Sequence, residues 1–385
     1  MLDYAEPAFW AALFCAAATS IQLISISLAL IQCRRKPGPL LRARPDAPPV
    51  SIVRPVCGLD AVERETLDST YRLDYPSYEV IFCVADAGDP VVPLVLRLIE
   101  AHPAIPSQLI IGDEAVSANP KLNNVVRGWD AARHAWIVIA DSNVLMPADY
   151  VQRLMARWDD KTGLVCATPI GARPQSFWAE IECAFLNTFQ ARWQYAGAAL
   201  GFAFAQGKTM LWRRAVLDDN GGIRALGSEI AEDAAATKLV HRAGLTVRLV
   251  DNPFEQPLGV RSFRQIWSRQ VRWARLRRVT FPLFFTPEII TGSFWPLIAG
   301  AYAAVHYEVS APGMVLALMT VWYGAEIRLG HAAGWRLTWI TPVCYVIRDC
   351  LLPILWVDAW IADDFVWRGN AMTVADAPRE EPSGV

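Results

Sequence analysis

The chain has 385 residues, 54% of them hydrophobic, and a formal net charge of −2 at pH 7. This length suits one catalytic domain with additional membrane segments, and the apolar fraction is high for a purely soluble enzyme. The nearly neutral charge argues against a nucleic-acid-binding protein. The eight cysteines are scattered without CxxC pairs, so they indicate neither a zinc site nor a disulfide framework.

An uncharged stretch lies between Glu6 and Arg34 and is followed by a basic cluster. The stretch is long enough to cross a hydrocarbon core of about 30 Å. Because the basic residues follow the apolar run and no A-x-A site closes it, a transmembrane anchor is favoured over a signal peptide. By the positive-inside tendency, the chain after the cluster is cytoplasmic. The cluster consists of Arg34, Arg35, Lys36, Arg42 and Arg44.

A short linker rich in Pro and Arg, residues 37–49, separates the anchor (residues 1–36) from an α/β pattern over residues 50–260. Short apolar runs predict strands at Val50–Val53, Glu79–Val84, Gln108–Ile111, Trp136–Ala140, Gly163–Ala167 and Thr246–Val250. Helical segments between them include Ala61–Tyr71, Val91–His102 and Asn123–Arg133. This alternation predicts a largely parallel sheet, whose ligands bind beyond the carboxyl ends of the strands.

The C-terminal third is apolar again and predicts two or three membrane helices within residues 281–365, some of them interfacial or re-entrant. Residues 366–385 are predicted to be a tail. The apolar segments are Phe281–His306, Val309–Ala325 and Leu337–Val357.

Three aspartates lie at or near the ends of predicted elements: Asp86 in VADAGDP, Asp141 in ADSNV and Asp233 in IAED. Any one of them alone is better explained by a turn or a helix cap. Together, in this order and ahead of an arginine-rich segment, they are hard to explain by turns and caps alone. Sugar transfer from a nucleotide donor would need such groups: positive charge to stabilise the leaving diphosphate and a carboxylate that takes the acceptor's proton.

The surrounding residues suit these two tasks. Asp141, with Asn143 as a helper, offers hard oxygen ligands for Mg²⁺ or Mn²⁺. Asp233 suits a general base because the neighbouring carboxylate of Glu232 can raise its pKa, although Glu232 is also explained as a helix-start carboxylate. Lys121, in ANPKLNN, is explained equally well as a solvated loop lysine or as a phosphate contact at a helix start.

The segment RSFRQIWSRQVRWARLRR, residues 261–278, holds seven arginines and no acid. Ser262 can cap a helix here, and we assign residues 261–280 to it. Arg269, Arg272 and Trp273 then share a face, which suits bidentate phosphate contact and stacking on a sugar or acceptor. A basic amphipathic helix on anionic lipid is the alternative. We favour lipid contact for the outer arginines Arg275, Arg277 and Arg278.

These segments, in this order, resemble the ceramide glucosyltransferase family of inverting membrane glycosyltransferases, which have a GT-A fold and include bacterial diacylglycerol glycosyltransferases. The resemblance covers roughly residues 50–300. It rests on VSIVRPVCGLD, LDYPSYEVIFCVADAGDP, NPKLNN, ADSNV, IAED and RQVRW, the last fitting the family's R/Q-x-x-R-W signature.

The resemblance implies a role for each matching residue. Asp233 would be the general base and Asp141 the metal-associated aspartate. The nucleotide-sugar-binding residues would be Pro55, Asp86, Lys121, Arg269, Arg272 and Trp273. One departure is that the third residue of the DSN element is Asn143 rather than an acid, which leaves the metal site poor in carboxylate.

We therefore predict an inverting transferase in the cell inner membrane, with several spans and a cytoplasmic catalytic domain. It would transfer glucose or galactose from UDP-glucose or UDP-galactose to ceramide or diacylglycerol with a divalent cation, forming a β-glycolipid in one or more rounds. No nucleic acid takes part. Two alternatives remain open: a membrane polysaccharide synthase, and a non-catalytic lipid-binding relative of the fold.

Overall fold

The structure is a computed structural model that describes residues 6–33, 40–367 and 370–374. The basic residues Arg34, Arg35 and Lys36 lie outside the described residues. The chain forms two compact units. The α/β unit consists of Lys36–Arg173, Leu200–Gly259 and Asp363–Val385, and the helical unit consists of Met1–Arg35, Pro174–Ala199 and Val260–Ala362.

The strands in the described residues are β1 (Val50–Pro55), β2 (Tyr78–Val84), β3 (Ser107–Ile111), β4 (Trp136–Ala140), β5 (Thr162–Cys166), β6 (Pro169–Pro174), β7 (Thr209–Arg213), β8 (Thr246–Leu249), β9 (Phe254–Gly259), β10 (Asp364–Trp367) and β11 (Asn370–Thr373). The helices are α1 (Pro7–Gln32), α2 (Glu63–Asp68), α3 (Val92–Ala101), α4 (Pro120–Ala131), α5 (Tyr150–Met155), α6 (Phe177–Ala184), α7 (Arg192–Ala199), α8 (Arg214–Asp218), α9 (Glu232–Arg242), α10 (Phe263–Thr280), α11 (Pro282–Phe285), α12 (Phe294–His306), α13 (Ala311–Ala333) and α14 (Thr341–Ile361).

A seven-stranded sheet in the order β3-β2-β1-β4-β7-β5-β8 forms the centre of the α/β unit. β7 is antiparallel to its neighbours β4 and β5, and the other pairs are parallel. β1, β2 and β5 are buried along their whole length, which explains their continuous apolar runs. All six strands predicted from apolar runs are present, and the fold is a mixed α/β fold with a mostly parallel sheet. β7 is not among the predicted strands, because its short apolar run is flanked by Lys208, Arg213 and Arg214.

Two loops at the carboxyl edge of this sheet carry predicted site residues. Asp141 directly follows β4, and Asp86 lies two residues beyond β2. Lys121 comes from a helix start, where the Asn119 side chain accepts hydrogen bonds from the backbone N–H groups of Lys121 (2.9 Å) and Leu122 (3.2 Å). This cap fixes Lys121 in the first turn of α4.

The helical unit contains α1, α6, α7 and α10 to α14, together with a π-helical turn at Phe185–Ala191. Within the described residues, α1 is the single helix that is long and apolar enough to cross a membrane by itself. The segments Pro282–Ile290 and Phe294–His306 pass the same test together, with a bend of 42° between them. An apolar N-terminal helix is therefore confirmed, and the C-terminal membrane helices stay a prediction.

A charged network lies buried inside the helical unit. The guanidinium of Arg348 on α14 donates to Glu326 on α13 (2.9 and 3.0 Å) and to its neighbour Asp349 (2.8 Å). Gln22 of α1 donates to the same Glu326 carboxylate (2.9 Å). The two acids, the arginine and Gln22 are each at most 2% exposed. The network thus ties α1 to α13 and α14 through polar contacts that exclude water.

Replacing Arg348 with Met should leave Glu326 and Asp349 buried without their cation. The loss of one partner of a buried ion pair destabilises a protein by about 3–5 kcal/mol. We expect Arg348→Met to lower the midpoint of thermal unfolding of the detergent-solubilised protein well below that of Arg328→Met, which changes an exposed arginine on α13. Equal midpoints for the two variants would contradict a stabilising role of the network.

Candidate active site

The loop after β4 is held in place by a buried arginine that is not among the residues predicted from the sequence. Arg54 on β1 is fully buried, and its Nη2 donates to the backbone carbonyls of Asp141 (2.8 Å) and Ser142 (3.0 Å). The same nitrogen donates to the carbonyl of Val144 (3.2 Å). These bonds satisfy carbonyls that leave the sheet and so fix the position of the Asp141 side chain.

Five charged side chains meet at this edge of the sheet: Lys121, Asp141, Lys208, Glu232 and Asp233. We call them the acid–lysine cluster. The ammonium of Lys121 lies 2.7 Å from Asp141 Oδ1 and 2.6 Å from Glu232 Oε1. The ammonium of Lys208 lies 2.8 Å from Asp141 Oδ2. The cluster therefore joins the end of β4 to the starts of α4, β7 and α9.

Glu232 and Asp233 form the first turn of α9 and are bound differently. Asn119 donates to Glu232 Oε2 (2.6 Å). Asp233 accepts from the backbone N–H groups of Gly207 (3.0 Å) and Ala234 (2.9 Å). Both carboxylates thus have fixed orientations, and Asp233 is held by neutral donors.

The two aspartates of the acid–lysine cluster have pKa values shifted in opposite directions. Burial and the neighbouring charge of Glu232 raise the pKa of Asp233 to about 6, against the opposing effects of Gly207 and Lys121. Burial alone would raise the pKa of Asp141, but Lys121 and Lys208 outweigh it and hold that pKa below its usual range. Asp141 is therefore an anion at neutral pH, and Asp233 can exchange a proton near pH 6.

Asp141 and Asn143, the metal-binding residues expected from the sequence, are both bound to Lys208. Its ammonium donates to Asp141 Oδ2 (2.8 Å) and Asn143 Oδ1 (3.2 Å). Across the described residues, no group of three or more His, Cys, Asp or Glu side chains could hold a metal ion. A protein site for Mg²⁺ commonly supplies one or two carboxylates, and substrate phosphates and water complete the coordination, so Asp141 with Asn143 would hold such an ion only together with a donor diphosphate. The predicted Mg²⁺ or Mn²⁺ ion stays a prediction.

Pro55 and Asp86 lie at the same edge of the sheet. Pro55 ends β1 and pairs in register with Cys83 of β2. The exposed Asp86 accepts from the backbone N–H of Gly88 (2.8 Å). In the part of the chain that the structure describes, neither residue forms a hydrogen bond or ion pair with the acid–lysine cluster. The structure thus brings Lys121 and Asp141 into direct contact, holds Asp233 beside them through Gly207, and places Pro55 and Asp86 at the same edge of the sheet.

The arginine-rich segment forms α10 in the helical unit, and Ser262 caps it through a capping box with Gln265. Arg269 forms an ion pair with the buried Glu182 of α6. Arg272 and Trp273 are half-buried on the same helix. These observations agree with the predicted start of the helix.

The prediction of lipid contact by the outer arginines is wrong for Arg275. This residue is 8% exposed, and its guanidinium lies 2.8 Å from Asp358 of α14. Arg277 likewise donates to both oxygens of Glu288 (2.7 and 2.8 Å). The acids that balance this helix lie elsewhere in the helical unit, so a charge count within the segment could not find them.

The family profile described as glycosyl transferase family 21 matches residues 14–379 of the chain. The chain belongs to this family. Ceramide glucosyltransferase 3 of Caenorhabditis elegans is 25% identical over 335 residues, which cover 85% of this chain and 73% of the relative. The ceramide glucosyltransferase of Komagataella phaffii is 27% identical over 439 aligned residues, which cover 88% of this chain and 84% of the relative. This family 21 protein is therefore a hexosyltransferase of the ceramide glucosyltransferase family.

Solved structures of glycosyltransferases are also similar. A mannosyltransferase from Pyrobaculum calidifontis, in complex with GDP-Man and Mn²⁺, has a TM-score of 0.47 and 19% identity, covering 91% of this chain and 98% of that one. Glucosyl-3-phosphoglycerate synthase from Mycobacterium tuberculosis, in complex with Mn²⁺, UDP and glucosyl-3-phosphoglycerate, has a TM-score of 0.38 and 16% identity. It covers 60% of this chain and 80% of that one.

Gly207 should not tolerate a side chain, because a Cβ there would lie 2.7 Å from Glu232 Oε1 and 3.1 Å from Lys121 Nζ. We expect Gly207→Ala to push these groups apart, to lower stability by about 1–3 kcal/mol and to lower kcat/KM. Gly324→Ala is the matched control, since its Cβ would meet no atom within 4 Å. Thermal unfolding and initial-rate measurements check this prediction, and wild-type behaviour of Gly207→Ala would contradict the packing described.

Proposed function

We propose that this family 21 enzyme is an inverting GT-A glycosyltransferase that moves glucose or galactose from a UDP-sugar to ceramide or diacylglycerol. The observation that carries the proposal is the grouping of three side chains at the carboxyl edge of the sheet. The ammonium of Lys121 contacts the ionised carboxylate of Asp141 and the carbonyl of Gly207. Asp233, a carboxylate of raised pKa, accepts a hydrogen bond from the N–H of Gly207. This edge is where α/β sheets bind nucleotides.

Lys121 is proposed to bind the diphosphate of the donor. Its ammonium stands at the first turn of α4, where the helix dipole favours an anion as well. In the same proposal, Pro55 and Asp86 line the uridine end of the donor site, because Pro55 ends β1 and Asp86 follows β2 at this edge. The diphosphate carries the charge that develops as the sugar leaves, and the lysine stabilises it.

Asp233 is proposed to be the general base. As the acceptor hydroxyl oxygen bonds to the anomeric carbon, its proton passes to Asp233, and the bond from that carbon to the diphosphate oxygen breaks to release UDP. A single displacement of this kind converts an α-linked donor into a β-linked product through an oxocarbenium-like transition state. A pKa of about 6 leaves Asp233 mostly ionised at pH 7 while keeping it a stronger base than an ordinary aspartate.

The proposed binding of the lipid acceptor involves the helical unit. We propose that α1 anchors the enzyme in the cell inner membrane, that further segments within residues 281–365 also cross it, and that the catalytic domain is cytoplasmic. Nucleotide sugars are then available on the side where the lipid hydroxyl emerges. By the family resemblance, Arg269, Arg272 and Trp273 of α10 contact the diphosphate and the acceptor. In the same proposal, Asp141 would hold a divalent cation together with the donor diphosphate, and the cation would stabilise the charge of the leaving group.

Product analysis tests this function directly. Membranes containing the enzyme are incubated with labelled UDP-glucose or UDP-galactose and with ceramide or diacylglycerol, and the extracted lipids are resolved. We expect a glycolipid with a β-linked sugar by NMR. A water-soluble labelled polymer would instead support a polysaccharide synthase, and UDP-sugar left unchanged in the presence of every acceptor would contradict the proposal.

Asp233→Asn should remove the proton acceptor while keeping the side-chain shape. Loss of a general base lowers the rate by about 10²–10⁴-fold, so we expect kcat to fall by this factor with little change in UDP affinity. In the wild type, activity should fall as the pH drops through about 6, because Asp233 becomes protonated. Asp218→Asn, an exposed aspartate of the same unit, is the control. Wild-type turnover by Asp233→Asn would exclude Asp233 as the base.

Arg272→Lys should weaken the proposed diphosphate contact, since an ammonium cannot donate two parallel hydrogen bonds. The loss of one charge-assisted hydrogen bond, which contributes about 1.5 kcal/mol, corresponds to a roughly tenfold decrease in kcat/KM. We expect this decrease for Arg272→Lys and a smaller one for Arg278→Lys on the same helix. Equal kinetics of the two variants would argue for a purely structural role of Arg272.

A further inference from the structure

Asn119 is a fully buried residue beside the acid–lysine cluster, and the family resemblance gives it no role. It directly precedes α4, and its side-chain oxygen accepts hydrogen bonds from the backbone N–H groups of Lys121 (2.9 Å) and Leu122 (3.2 Å). Its side-chain nitrogen donates to Glu232 Oε2 at the start of α9 (2.6 Å). One amide group therefore joins the starts of two helices. Its two ends cannot be exchanged, because only the oxygen can accept from backbone N–H groups.

Both carboxylate oxygens of Glu232 are bound from the start of α4. The ammonium of Lys121 lies 2.6 Å from Oε1, and Asn119 donates to Oε2. Glu232 is 7% exposed, so water has little access to either contact. A buried carboxylate keeps its charge only when such partners offset its desolvation. The start of α4 therefore fixes both the orientation and the ionised state of Glu232.

Glu232 in turn acts on Asp233, the next residue of α9. Burial is the largest cause that raises the pKa of Asp233, and the negative charge of Glu232 is the second. Lys121 and backbone N–H groups act in the opposite direction. Cys166 of β5 also interacts with Asp233, but burial raises its thiol pKa to about 12, so it is neutral near pH 7. Among these side chains, Glu232 is thus the one whose negative charge opposes ionisation of Asp233.

We propose that Asn119 is a positioning residue, whose amide fixes the Glu232 carboxylate beside Asp233 and in contact with Lys121. The inference rests on the proposed function, in which Lys121 binds the diphosphate and Asp233 is the general base. An amide suits this task because it donates a hydrogen bond without adding charge. A cation in its place would offset the charge of Glu232, and an ionised acid would repel it.

The test is the pH dependence of kcat for Asn119→Ser in the full-length enzyme, with the UDP-sugar and the lipid, ceramide or diacylglycerol, on which the wild type is active. Serine still caps α4 but is too short to reach Glu232. Glu232 then has one partner fewer, so it takes up a proton more readily or turns away, and its charge no longer opposes ionisation of Asp233. We expect kcat to fall about tenfold. Its acidic limb should move about one pH unit lower, because the pKa of Asp233 falls toward that of an ordinary aspartate.

Asn123→Ser is the matched control on the same helix. Asn123 is also buried, and within the described residues its side chain forms hydrogen bonds with Val116 and Ser117. Its variant should keep the acidic limb of the wild type. A second arm introduces Asn119→Ser into Glu232→Gln, where we expect no further movement of the limb, since the charge through which Asn119 acts is already absent. Asn119→Thr, which also caps a helix, replaces Asn119→Ser if the latter fails to fold.

The outcomes separate the inference from the function on which it rests. An acidic limb that stays in place or moves to higher pH in Asn119→Ser would overturn the role of Asn119 and leave the transferase proposal standing. The same movement in the Glu232→Gln background as in the wild type would also overturn it. A folded wild-type protein that transfers no sugar to any acceptor would overturn both. Movement to lower pH that is absent from Asn123→Ser and from the Glu232→Gln background would support the inference.

Discussion

The ion pairs of Lys121 with Asp141 and Glu232 are the interaction on which the candidate site depends. One ammonium joins the end of a central strand to the start of α9, at distances of 2.7 and 2.6 Å. Partly buried charges interact strongly because water screens them little, and removing one partner leaves the others uncompensated. The position of Asp233, which follows Glu232 in the chain, is therefore fixed by the same lysine. The geometry of the proposed base and the geometry of the proposed phosphate contact therefore depend on one another.

The sheet supplies the rigidity that this arrangement needs. Arg54 occupies a fully buried position on β1, where an apolar residue would ordinarily pack, and it binds three carbonyls of the loop that begins at Asp141. A buried guanidinium is tolerated when hydrogen bonds offset its desolvation, and here both terminal nitrogens donate, Nη2 to these carbonyls and Nη1 to Thr66 and Thr70. Arg54 thus acts as a positioning residue for the loop that follows β4, the strand beside β1 in the sheet.

The sequence allowed the central strands, the α/β class and three members of the acid–lysine cluster to be predicted, because these depend on local patterns. Apolar runs mark β1 to β5, and an aspartate after a strand marks the carboxyl edge of the sheet. Arg54 and Lys208 could not be found in this way. An arginine within an apolar run looks like an interruption, and the partners of Lys208 become visible only when β7 is known to pair antiparallel with β4. The charge balance of the site is a property of the folded chain.

Partners that only the folded chain brings together also decide whether the arginine-rich helix can contact the membrane. A run of seven arginines without an acid suggests a basic surface, yet Arg269, Arg275 and Arg277 each find a carboxylate on another segment of the helical unit. Long cationic side chains lie along apolar surface and bring their charge to distant partners. Whether an arginine of this helix is exposed to lipid therefore depends on the partner of its own guanidinium. On that basis the run is first an element that holds the helical unit together, because three of its guanidinium groups pair with acids of other segments.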